Sequence, residues 1–134
     1  MSAVFLDTGF LIALEAVDDQ YHQRALTYWS EFPQHATPIV TTSYILDEVV
    51  TFFNARHHHS KAVEIGSYLL SSTSIQFIHV DEPLFLEGWK RFQRYHDKRY
   101  SLTDCISFTI MEQQQISKAL AFDKHFVQAG FTII

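Results

Sequence analysis

The sequence predicts an α/β protein, a three-layer α/β/α sandwich around a mostly parallel central sheet. Three observations carry this. Short apolar, β-branched runs alternate along the chain with longer segments of helical periodicity. Runs such as Val4-Phe5-Leu6 and Ala119-Leu120-Ala121-Phe122 are apolar at every position, as strands buried on both faces are. Four glycines and three prolines in 134 residues leave little for linkers, so residues 1–134 read as one domain with short connections.

Val4 to Leu6 is the first strand, and Phe10 to Ala16 is helical. A second helix spans Gln20 to Phe32, with Tyr21, Ala25, Tyr28, Trp29 and Phe32 at helical spacing. Pro33 and Pro38 bracket a loop before a β-branched strand, Pro38 to Thr42. Ser43 is placed to cap a helix from Tyr44 to His57, and Ser60 another running to Leu70. Ile75 to Val80 is the third strand. Asp81-Glu82-Pro83 is a strong helix start: a cap, an acid in the first turn and an early proline. That helix is expected to turn Phe85, Trp89, Phe92 and Tyr95 inward. Ser101 or Thr103 opens the next helix, with Ile106, Ile110 and Met111 on its core face. Ala119 to Phe122 is a fourth strand, Asp123 to Ala129 a short helix or loop, and Phe131 to Ile134 a terminal strand.

The chain is 47% hydrophobic and 15% aromatic, enough for a sizeable core, yet no apolar run approaches the roughly 20 residues that span a bilayer. The start lacks the basic segment and cleavage site of a signal peptide. A single cysteine fits a reducing compartment, so a cytoplasmic protein with no membrane association is expected. The net charge of −5 argues against coating nucleic acid by overall positive charge. The distribution says more: Lys90, Arg91, Arg94, Lys98 and Arg99 lie within ten residues and make up half of the ten Lys and Arg.

The chemistry concentrates on carboxylates. Asp7 ends the first strand, and in open α/β sheets ligands sit outside the carboxyl ends of the strands. Asp123 repeats that placement after the fourth strand, and Asp104 lies in the first turn of a helix. Each is also a natural helix cap or first-turn acid. In the helix after the second strand, Glu48 borders the apolar arc whereas Asp47 points away, so Glu48 is the better placed to reach a cleft. Carboxylates gathered in one cleft stay ionised only if cations join them. Oxygen-only ligands suit Mg²⁺ or Mn²⁺, ions that activate water and relieve the repulsion between an acidic cleft and a phosphodiester.

The chain resembles PIN-domain nucleases, particularly the VapC-type toxins of toxin–antitoxin modules. The resemblance rests on Phe5-Leu6-Asp7-Thr8, on Glu48, on Ser101-Leu102-Thr103-Asp104-Cys105-Ile106-Ser107-Phe108, and on Ala121-Phe122-Asp123-Lys124-His125-Phe126 followed by Gly130-Phe131. It implies a Mg²⁺- or Mn²⁺-dependent endoribonuclease whose metal ligands and catalytic residues are Asp7, Glu48, Asp104 and Asp123. Thr8 would stand behind them as a polar support, orienting Asp7 or water. It also implies an RNA substrate, an antitoxin whose tail occupies the active-site groove, and a homodimer. Asp47 beside Glu48 is a departure, since the family supplies one acid there, and Asp123 occupies the most variable position of the set.

Other features have plainer readings. His57-His58-His59 diverge by about 100° per residue on a helix and cannot converge on one ion. Cys105 has apolar neighbours and no evident base, so it reads as a small buried hydrophobe. His125 reads as a surface histidine. The basic cluster fits a solvated helix face and equally a phosphate track leading to Asp104, through Arg94, Lys98 and Arg99. Two further functions fit the same pattern: a non-catalytic RNA-binding PIN scaffold, and an aspartate-based phosphotransfer domain.

Overall fold

The computed structural model describes residues 2–33 and 36–134. Its centre is a five-stranded, all-parallel sheet in the order β3-β2-β1-β4-β5, formed by β1 (Val4–Leu6), β2 (Ile39–Thr42), β3 (Ile75–Ile78), β4 (Lys118–Leu120) and β5 (Thr132–Ile133). Helices α1 (Thr8–Glu15) and α2 (His22–Glu31) link β1 to β2, and α3 (Ser43–Ala55) and α4 (His59–Ser71) link β2 to β3. Helices α5 (Glu82–Arg94) and α6 (Leu102–Gln113) carry the chain back across the sheet to β4, and α7 (His125–Gln128) precedes β5. The chain therefore moves outward from β1 in one direction and then reverses. With right-handed crossovers, α1–α4 cover one face of the sheet and α5–α7 the other. The point of reversal lies between β1 and β4, where ligand sites of such sheets are found.

Burial on both faces explains the apolar strands. Val4, Phe5 and Leu6 are all buried, as are Ile39 and Val40 beside them. Each such side chain contributes roughly 1.5–3 kcal/mol by leaving water. On the α6 side, the Phe108 ring stands edge-on to Phe126, with centroids 5.1 Å apart, and edge-on to Tyr100 at 5.1 Å.

The strand ends are fixed by polar bonds. Buried Thr41 donates its hydroxyl to the Leu6 carbonyl at 3.0 Å, and the Asp7 N–H continues the ladder to the Leu120 carbonyl at 3.1 Å.

Several boundaries differ from the sequence reading. The cap of α3 is Thr42, whose hydroxyl accepts from Ile45 N at 3.2 Å; Ser43 instead accepts from Val80 N at 2.9 Å. His58 rather than Ser60 precedes α4, and His57 turns the chain with a φ of 64°. Strand β4 ends at Leu120, so Asp123 stands beyond the sheet rather than directly at a strand end. Trp89 and Phe92 do not point inward. They are 42% and 39% exposed and stack on each other on the outside of α5, because Leu84 and Gly88 form its buried edge.

Candidate active site

Asp7 is the innermost acid. It sits between the β1 ladder and the first turn of α1, where Leu11 N reaches its carbonyl at 3.3 Å. Its side chain makes no cap hydrogen bond to that helix, so it does not serve as an N-cap acceptor. Burial, then the charge of Asp104, with Asp123 and Glu48 adding to it, pushes the Asp7 carboxyl up to about 7. Asp104, Asp123 and Glu48 each oppose the ionisation of Asp7.

Glu48 reaches this cleft from α3. Its Oε1 accepts the hydroxyl hydrogen of Thr8 at 2.6 Å, while Asp47 is exposed. Glu48 is half-buried and Asp47 exposed, the order of burial that the helical phase implies. Asp104 enters from the first turn of α6 as the acid of a capping box: its N–H donates to Ser101 Oγ at 2.9 Å, and its Oδ2 accepts from Ser101 N at 3.1 Å. Helix capping and presentation to the cleft are thus one arrangement. Burial raises the Asp104 carboxyl above its ordinary range, against the lowering effects of the Ser101 N–H and His125.

Asp123 is the most open of the four, with a side chain 44% exposed. It is held by a turn, His125 N donating to its Oδ1 at 2.9 Å. His125 itself is not the surface histidine expected from sequence. Its Nδ1 lies 3.0 Å from Asp104 Oδ2 and 3.3 Å from Asp123 Oδ2, and its ring packs edge-on against Tyr100. Asp104, Asp123 and His125 offer ligand atoms within 4.8 Å of one another. The available signal was the Asp-x-His spacing, since an Asp that accepts from the backbone two residues on brings that residue back beside it.

This donor set fits a hard divalent cation. Three or four carboxylates that oppose one another's ionisation, with no Lys or Arg paired to them among the described residues, are stabilised by a cation of high charge. Cys105 is fully buried and its thiol is pushed up to about 11, so it offers no nucleophile.

The basic cluster divides. Arg91 pairs with Glu112 of α6 at 2.7 Å, and Lys90 with Glu87 at 3.3 Å. Arg94 lies over the Tyr95 ring at 5.2 Å, and Lys98 and Arg99 are exposed in the connection to α6. The last three are the members of the cluster without an ion pair among the described residues, and they precede Asp104 in the sequence.

The sheet order, the reversal point and the acids around it define a PIN domain, and the chain belongs to that family, which it matches over residues 4–132. It is 36% identical over 129 residues to the 23S rRNA-specific endonuclease VapC20 of Mycobacterium tuberculosis strains CDC 1551 and H37Rv, an alignment covering 96% of this chain and 95% of the relative. The crystal structure of M. tuberculosis VapC20, described as a sarcin–ricin loop cleaving toxin, superposes with a TM-score of 0.88 at 32% identity, covering 97% of both chains. FitAcB from Neisseria gonorrhoeae shares the fold, with a TM-score of 0.68 at 14% identity over 98% of this chain and 96% of that one.

Proposed function

We propose that this protein is a divalent-metal-dependent endoribonuclease that acts as the toxin of a toxin–antitoxin pair, and that its target is the sarcin–ricin loop of 23S rRNA. The observation that carries this is the cluster of Asp104, Asp123 and His125, whose ligand atoms lie within 4.8 Å of one another, beside an Asp7 carboxyl that burial and the charges of Asp104, Asp123 and Glu48 push up to about 7. Similarity to VapC20 over almost the whole of both chains supports the substrate.

In this reading Asp7, Glu48, Asp104 and Asp123 hold Mg²⁺ or Mn²⁺. The ion supplies an activated water and stabilises charge developing on the phosphate. Thr8 orients Glu48 through their 2.6 Å hydrogen bond, and His125 sets the angle of Asp104 and Asp123. Arg94, Lys98 and Arg99 meet the RNA backbone on the α5–α6 side. One domain, residues 1–134, carries the whole activity.

The same reading includes a homodimer, an antitoxin and a cytoplasmic location. The exposed strip of Leu86, Trp89 and Phe92 on α5 supports contact with a second copy. The antitoxin tail lies in the active-site groove, and a separate groove of about 350 Å³, lined by Leu11, Leu14, Trp29, Ile65 and Tyr68 and by none of the four acids, supports a second seat for its apolar side chains. No helix among the described residues is long and apolar enough to cross a membrane.

The test is to incubate purified protein with intact ribosomes and Mn²⁺ and to map new RNA ends. A single new end in the sarcin–ricin loop, absent with Asp7→Asn, is the expected outcome. Cleavage spread over the rRNA, or ends unchanged by Asp7→Asn, would refute it.

A further inference from the structure

Arg24 stands apart from the other basic residues. Its Cζ lies 5.2 Å from the Phe122 ring centroid and 5.7 Å from that of Tyr21. The two rings are themselves stacked, 4.5 Å apart and 14° from parallel. Phe122 continues the stack onto Phe10, at 5.7 Å and 20°, and Phe10 is fully buried. The stack is therefore anchored in the core, while Arg24 flanks its Tyr21 and Phe122 rings and is exposed. Phe122 is also the residue immediately before Asp123.

Among the described residues no carboxylate pairs with Arg24, whereas Lys61, Lys90 and Arg91 are all ion-paired. A guanidinium held beside aromatic rings is less mobile than one in solvent, keeps its N–H donors free and presents the fork that matches phosphate. Arg24 is on α2, in the helical layer opposite to the one that carries Arg94, Lys98 and Arg99. The acidic cleft lies at the reversal point between these layers. A polyanion crossing that cleft is repelled by the carboxylates, and cations on both banks offset this.

We propose that Arg24, seated on the Tyr21–Phe122 stack, is a phosphate-binding residue that holds the RNA backbone on the α2 bank of the active-site cleft. This rests on the endoribonuclease reading. It adds a second bank to the RNA track, which the sequence placed only on the α5–α6 side. A protein partner would be met equally by an exposed arginine. RNA is favoured by the continuity of the platform with Asp123 and by the unpaired planar donor set.

The test compares wild type with Arg24→Ala, Arg24→Lys and Arg56→Ala, using a labelled sarcin–ricin stem-loop RNA. Arg56 is the control, an exposed arginine that also lies against an aromatic ring, Phe52 at 3.6 Å, but just past the end of α3 and away from Glu48. RNA affinity is read by anisotropy in Ca²⁺, and single-turnover cleavage in Mn²⁺. Arg24→Ala is expected to weaken RNA affinity about tenfold and to lower the dependence on salt by about one phosphate contact. Arg24→Lys is expected to recover part of the affinity, Arg56→Ala to match wild type, and the saturated cleavage rate and Mn²⁺ affinity to change less than about threefold. RNA affinity of Arg24→Ala within twofold of wild type overturns the proposal, as does an effect confined to the saturated rate, or equal losses in Arg56→Ala. Wild-type protein that binds RNA without cutting it in Mn²⁺ refutes the nuclease reading alone. Wild-type protein that binds no RNA refutes both.

Discussion

Thr8 donates its hydroxyl hydrogen to Glu48 Oε1 across 2.6 Å, joining the first residue of α1 to the middle of α3. The bond aims a carboxylate from one helix at the cleft beside Asp7 on the neighbouring strand end. Thr8→Val keeps the shape and removes the donor. It is expected to lower RNA cleavage and Mn²⁺ affinity by roughly 10- to 100-fold, as loss of such supporting bonds does at metal sites. Thr8→Ser should retain most of both. Combined with Glu48→Gln, Thr8→Val should add little, because the two residues act as one unit. Calorimetric titration with Mn²⁺ beside cleavage assays checks all three variants.

The Asp7 carboxyl is raised from 3.8 to about 7 by burial and by its acidic neighbours. The fold favours the protonated form, so its contribution to metal-free stability is complete below about pH 4 and is lost as pH rises through 7. Asp7→Asn mimics the protonated state. In chelator, its stability relative to wild type should be near zero at pH 4 and should grow to at most about 4 kcal/mol by pH 8, from roughly three pK units at 1.36 kcal/mol each. Mn²⁺ should reverse the order at pH 8, stabilising wild type and not the variant. Denaturant midpoints across pH, with and without Mn²⁺, measure both differences.

Gly88 sets the distance between α5 and α6. A Cβ built there would lie 2.5 Å from Ile106 Cγ1 and 3.3 Å from Ile106 Cα, and Ile106 follows Asp104 by two residues. Gly88→Ala therefore pushes on the helix that presents Asp104. Overpacking of this kind destabilises by about 1–3 kcal/mol. The variant should also lose cleavage activity more than RNA affinity, since the displaced element carries a site carboxylate and no phosphate contact. Urea midpoints and single-turnover rates separate the two effects.

Much of the fold was legible because buried parallel strands have an unambiguous signature: Val4-Phe5-Leu6 could hardly be anything else. Capping chemistry placed the starts of α5 and α6, where Asp81 accepts from Leu84 N at 3.0 Å and Ser101 shares a box with Asp104. Periodicity favoured Glu48 over Asp47 only weakly, because the two are adjacent on one helix, and Asp47 is the more exposed of the pair. It failed at Trp89 and Phe92, because large aromatic residues were assigned inward when the small Gly88 was what allowed α5 to approach its neighbour. His125 and Arg24 were missed for another reason. Their contacts, to Asp104 and to Phe122, link residues far apart in sequence, and neither has a periodic pattern to mark it.

The central claim is that Asp7, Glu48, Asp104 and Asp123 together hold the divalent ion that cuts RNA. Its most direct test is the single-turnover cleavage rate of the sarcin–ricin stem-loop as Mn²⁺ is titrated into chelator-treated protein, for wild type and Asp7→Asn. Wild type should be silent in chelator and regain activity saturably with Mn²⁺, while Asp7→Asn stays silent at every concentration. Cleavage in chelator, or an Asp7→Asn titration that overlays wild type, would contradict the account.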